Sequence, residues 1–115
     1  APEGFEVYSG DDSFTYDLMK VGGTGVISTI SNVATARMKE IVDACAGGEW
    51  EKAKELNDKL LPLMEGLFAT TNPILVKEAL ALDGFPVGGV RLPLIDATPE
   101  QSKALEAIMR EVGVL

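Results

Sequence analysis

The sequence predicts an α/β fold in which a strand–helix–strand unit leads into a run of amphipathic helices. Three observations carry this. Residues 5–9 and 25–30 are short runs rich in aromatic and β-branched residues, each adjoined by glycine. Between them Phe14, Leu18 and Val21 recur at spacings of four and three, the mark of one apolar helix stripe. From about Asn32 onward helical spacing persists and no further convincing strand appears.

The first strand, Phe5 to Ser9, ends at Gly10. Asp11 or Asp12 then supplies a side-chain oxygen to cap the helix that follows. Gly22 and Gly23 stop that helix, since glycine accepts the left-handed conformation at a helix end. The second strand, Gly25 to Ile30, shows little alternation, as expected of a strand covered on both faces. Strand, helix and strand within about 30 residues make a βαβ unit with a parallel pair. A parallel pair needs more neighbours to cover both faces, so the pattern points to missing partner strands.

Four helices follow. The first carries Met38, Ile41, Val42 and Cys45, and Gly47-Gly48 ends it. The next spans about Glu49 to Leu67, with Trp50, Ala53, Leu56, Leu60, Leu63 and Leu67 on one face and a kink expected at Pro62. A third opens at Asn72-Pro73, with Asn72 as its cap, and ends near Gly84. An extended stretch runs from Phe85 to Pro93. The last helix opens at Thr98-Pro99-Glu100-Gln101, the spacing of a capping box, and carries Leu105, Ile108, Met109 and Val112.

Composition narrows the function. Eighteen acidic against ten basic residues give a net charge of -8, the wrong sign for neutralising phosphates on nucleic acid or anionic lipid. Neither partner is expected. No apolar run approaches the ~20 residues needed to span a bilayer. No leader pattern opens the chain, and its first residue, Ala1, fits a processed or excised segment. One cysteine allows no internal disulfide. A cytoplasmic location is therefore expected.

The chain has no histidine, which removes the usual hydrolase triads and zinc sites. Cys45 lies on a helical apolar stripe and reads as a core thiol. Asp11-Asp12 at a strand end is a conceivable hard-metal site, but helix capping explains it as well, and no metal or cofactor is expected. Gly22-Gly23-Thr24-Gly25 resembles a phosphate loop yet precedes a strand instead of following one. Lys77 is a candidate imine-forming amine, with a surface or capping role as the simpler reading. Neither predicted strand carries a lysine.

Four ordered stretches give the chain a family resemblance. They are Ser9-Gly10-Asp11-Asp12; Gly22-Gly23-Thr24-Gly25-Val26-Ile27-Ser28 followed by Asn32; Asn72-Pro73-Ile74-Leu75-Val76-Lys77-Glu78-Ala79-Leu80; and Arg91-Leu92-Pro93-Leu94. Together they resemble the C-terminal part of the dihydrodipicolinate synthase family of pyruvate-dependent class I lyases, and the likeness covers essentially the whole chain. Leu75 stands where the family usually has proline. The Thr29-Ile30-Ser31 and Ala34-Thr35 stretches also depart from its pattern.

The resemblance implies that the chain is the C-terminal part of a (β/α)8 barrel. Residues 1–46 would form its last two β/α units, strands seven and eight, and residues 47–115 a helical extension. It implies a parent lyase in lysine biosynthesis that condenses pyruvate, held as a Schiff base, with aspartate semialdehyde. The family's Schiff-base lysine lies on the sixth strand, so no catalytic residue is expected here, and Lys77 matches a helix position. The residues carried over are Gly10, at the pocket floor, and Ile27, contacting pyruvate largely through its backbone. The implied partners are pyruvate, the rest of the barrel in the same or a separate chain, and further copies of the parent. Two alternatives stand beside this: a non-enzymatic helical module for interaction or oligomerisation, and the tail of a related keto-acid aldolase.

Overall fold

The computed structural model describes residues 2–115. Strand β1 (Tyr8–Ser9) pairs in parallel with β2 (Gly25–Val26), in the register Tyr8 to Gly25 and Ser9 to Val26. A short 3-10 turn (Asp12–Phe14) and helix α1 (Thr15–Lys20) connect them. Helices α2 (Ser31–Ala46), α3 (Trp50–Gly66), α4 (Ile74–Leu82) and α5 (Pro99–Val112) complete the described chain. This is an α/β arrangement: a partial β/α barrel with a helical extension.

Both strands are shorter than the sequence suggests. The ladder reaches one residue further at each end, through Thr24 N–H to the Val7 carbonyl (2.7 Å) and Ile27 N–H to the Ser9 carbonyl (2.9 Å). Beyond Ile27 the backbone turns, because the amides of Thr29 and Ile30 both point at Asp12 instead of continuing a ladder. Burial of the second strand on both faces is not observed. Val26 is half-buried and Ile27 is 72% exposed, because among the described residues the sheet has only these two strands.

The stripe expected on α1 also differs. Phe14 and Val21 face outward, at 51% and 81% exposure, while Thr15, Tyr16 and Met19 are buried. The preceding 3-10 turn sets this phase: the Thr15 hydroxyl donates to the Asp12 carbonyl (2.8 Å) and turns that side of the helix inward. Glycine ends α1 as expected. Gly22 adopts φ +107, and Gly23 sits so close to Leu18 that an added Cβ would lie 2.7 Å from the Leu18 Cγ.

The core lies among the helices. Met38, Ile41 and Cys45 of α2 meet Ala53, Leu60, Leu63 and Met64 of α3, with Leu75 and Ala79 of α4 and Leu105 and Met109 of α5 closing the cluster. Helix α3 continues through Pro62 as one helix, and the non-helical residue falls in α2 instead, at Ala34 (φ −136, ψ 48). Asn72 does not cap α4. Pro73 holds the cap position without a side-chain bond, and the Ile74 amide is satisfied by the Thr71 carbonyl (3.1 Å). The capping box at Thr98 and Gln101 forms, and Gly113 ends α5 in the left-handed conformation.

The radius of gyration is 15.0 Å. A free-standing compact domain of this length is expected near ~13 Å. The excess fits a body with an open side, where Phe5, Val7, Tyr8 and Ile27 lie exposed along the sheet.

Candidate functional site

The C-terminal ends of parallel strands are where β/α folds gather ligand-binding groups. Here both ends open on the same side, because the pair is parallel and in register. Gly10 follows the last paired residue of β1 and Ile27 follows that of β2, so the register places them side by side. Ile27 is tied back through its amide, and its side chain is exposed. A Cβ on Gly10 would meet nothing within 4 Å, so the space beside it is open.

The loops behind these residues are ordered by side chains. The Ser9 hydroxyl donates to the Asp11 carbonyl (2.7 Å) and accepts from the Asp11 amide (3.1 Å). The Asp11 carboxylate accepts from the Ser13 amide (3.2 Å) and hydroxyl (3.0 Å), which is the local cap that the sequence suggests. Asp12 does something else. It is only 2% exposed, and a buried carboxylate is costly unless its oxygens are hydrogen-bonded. Its Oδ1 accepts from the Ser28 hydroxyl, and its Oδ2 accepts from the amides of Thr29 and Ile30, both at 3.0 Å.

Asp12 thus ties down, from the other strand's loop, the turn that leads into α2, since Thr29 and Ile30 directly precede its first residue, Ser31. The positive end of the helix dipole favours that carboxylate. The Ser28 hydroxyl also accepts from the Ser31 amide (3.0 Å), closing the first turn. The sequence suggests Asp11 or Asp12 as a local cap and does not announce this long-range bond. The available signal was Ser28-Thr29, a donor-rich pair just past the end of β2, facing the acids just past the end of β1. With both Asp12 oxygens engaged, the pair acts in capping. Among the described residues no group of three potential metal ligands gathers anywhere.

Lys77 lies far from this mouth in sequence and in role. Its Nζ donates to the Gly89 carbonyl (2.8 Å), pinning the extended Phe85 to Pro93 segment against α4. Next to it, Glu78 accepts from the Ser102 hydroxyl (2.7 Å) of α5. Burial pushes the Cys45 thiol up, away from the reactive thiolate. Neither β1 nor β2 carries a lysine.

The sequence profile of the Dihydrodipicolinate synthetase family matches residues 1–112. The chain belongs to this family. The 4-hydroxy-tetrahydrodipicolinate synthase of Symbiobacterium thermophilum is 53% identical over 115 residues, covering 100% of this chain and 39% of the relative. The crystal structure of dihydrodipicolinate synthase from Thermotoga maritima matches with a TM-score of 0.95 at 44% identity, over 99% of this chain and 39% of that one. The chloride-inhibited dihydrodipicolinate synthase of Acinetobacter baumannii, complexed with pyruvate, matches with a TM-score of 0.92 at 35% identity, over 96% of this chain and 38% of that one. The chain therefore spans between 36% and 39% of the length of the curated family members it matches. Among the described residues, no helix is long and apolar enough to cross a membrane.

Proposed function

We propose that this chain is the C-terminal portion of a lyase that condenses pyruvate, held as a Schiff base, with aspartate semialdehyde on the route to lysine. The observation that carries the reading is the mouth of the parallel pair. Gly10 and Ile27 stand in register at the strand ends of a family member whose backbone superposes on a solved synthase with a TM-score of 0.95. On this reading β1 and β2 are the seventh and eighth barrel strands. Residues 1–46 form the last two β/α units and residues 47–115 the helical extension.

Gly10 gives pyruvate room at the pocket floor, and Ile27 meets it through its backbone. The imine-forming lysine comes from the remainder of the barrel, since neither strand here offers one. An imine is an electron sink that allows carbon–carbon bond formation near neutral pH, so the reaction calls for no metal or cofactor. The remainder of the barrel covers the apolar surface left at Phe5, Val7 and Ile27 and meets the outer face of α1 at Phe14 and Val21. The parent is proposed to be a homo-oligomer.

The test is turnover of pyruvate with aspartate semialdehyde. The full-length polypeptide that carries this segment is expected to condense them, and the 115-residue chain alone is expected to be inert. No condensation by the full-length polypeptide with this aldehyde, but turnover with a sugar-derived keto acid, would move the chain to a sister aldolase. A second reading, a non-enzymatic helical module, is favoured by the shared core that α2 to α5 form among themselves. It predicts that the full-length polypeptide turns over neither substrate.

A further inference from the structure

We propose that Asp12 is a positioning residue for the keto acid: by capping the turn after β2, its carboxylate fixes the direction of the Ile27 carbonyl at the mouth of the strands. The inference rests on the reading of Ile27 as a backbone contact for pyruvate. The Ile27 carbonyl belongs to the peptide unit joining Ile27 to Ser28, so its direction depends on what holds those two residues. Ile27 is held by the ladder bond from its amide to the Ser9 carbonyl (2.9 Å). Ser28 is held through its hydroxyl to Asp12, and the next two amides converge on the same carboxylate at 3.0 Å. Three consecutive residues are thus anchored to one buried side chain, directly after the carbonyl in question.

The other half of the mouth shares the anchor. Asp12 lies two residues beyond Gly10, in a turn that the Ser9 hydroxyl closes through its two bonds to Asp11. One carboxylate therefore joins the loop after β1 to the loop after β2, across eighteen residues of sequence. Sites that must hold a small ligand need their backbone oriented before the ligand arrives, because ordering it at binding costs affinity. A carboxylate buried to 2% exposure, with a hydroxyl and two amides on its oxygens, meets that need.

The test uses steady-state kinetics of the full-length polypeptide with Asp12→Ala, Asp12→Asn and Ser28→Ala. Loss of a charge-assisted hydrogen bond corresponds to about tenfold in an equilibrium constant. Asp12→Ala is expected to raise KM for pyruvate by about tenfold or more. Ser28→Ala should raise it about threefold, and Asp12→Asn, which keeps one acceptor, should fall between wild type and Asp12→Ala. In each, kcat at saturating pyruvate should stay within about twofold, as for lost ground-state binding. Unchanged KM for pyruvate with a lowered melting temperature overturns the inference, since that is what a purely structural cap predicts. A fall in kcat with KM unchanged overturns it as well. Should Asp12→Ala not fold, Ser28→Ala and Asp12→Asn decide on the same criteria. Wild-type protein that forms no borohydride-trapped adduct with pyruvate would remove the underlying reading, and this inference with it. A trapped wild type with unmoved variants would remove this inference alone.

Discussion

Thr98 closes a helix end in both directions: its hydroxyl accepts from the Gln101 amide (3.2 Å), and its own amide donates to the Gln101 side chain (2.9 Å). Thr98→Ala should lower unfolding stability by about 1 kcal/mol, read from the urea midpoint. The exposed pairs Lys39–Asp43 and Lys54–Asp58 should contribute little, because water and salt screen them, and removing either should leave the urea midpoint essentially unmoved. Cys45 offers a pH test. Burial raises its thiol pKa in the folded chain, so the unfolded chain ionises first as pH rises. Stability should therefore fall as pH climbs above the ordinary thiol range, and Cys45→Ser should flatten that slope in unfolding measured against pH. At this scale Thr98, Cys45 and Gly113 were legible, because each acts within a turn or two of its own sequence. Asp12 is only half legible: its readiness to accept backbone amides shows in the sequence, but not the distant turn whose amides it accepts. Asn57 was not legible at all. It is a buried polar residue on the inner face of α3, where the spacing also admits a surface position.

Helices proved easier to read than strands. The stripes on α3 and α5 came out as predicted because long helices average over many positions; Leu60, Leu63, Leu105 and Met109 are all buried. Leu60→Ala should cost about 2–5 kcal/mol in a denaturant titration, since it opens a cavity in a closed cluster. Helix α1 was misphased because six residues carry little periodic signal and the 3-10 turn before it sets the phase. The strands were overextended because apolar β-branched residues mark a chain able to pair, whereas pairing needs a neighbour. Residues 28–30 leave the ladder for Asp12, which no local pattern announces. The glycine stop was legible, and its demand is steric: Gly23→Ala should destabilise by about 1–3 kcal/mol, because the new Cβ would lie 2.7 Å from Leu18 Cγ and 2.9 Å from its carbonyl oxygen.

As a whole, the molecule is a closed helical cluster joined to an open sheet. Two parallel strands with free edges and exposed apolar side chains form a surface prone to association. The 115-residue chain alone should bind an apolar dye such as ANS and self-associate with rising concentration. Both signals should fall when the remainder of the barrel is supplied. The proposed function accounts for that surface: the chain spans 39% of a relative's length, and on that reading neighbouring strands of the barrel would cover it. The strand pattern in the sequence leads to the same expectation, since a parallel pair by itself leaves both faces uncovered. The sequence names no aldehyde, because neither β1 nor β2 carries a charged side chain that would select one.

Borohydride trapping of the full-length polypeptide with pyruvate, followed by peptide mass mapping, locates the reactive amine. One reduced pyruvate adduct is expected on a lysine outside these 115 residues, with Lys77 and every other lysine of the segment unmodified. An adduct on Lys77, or on any lysine within the segment, would contradict the claim that this portion shapes the pocket without supplying its reactive amine.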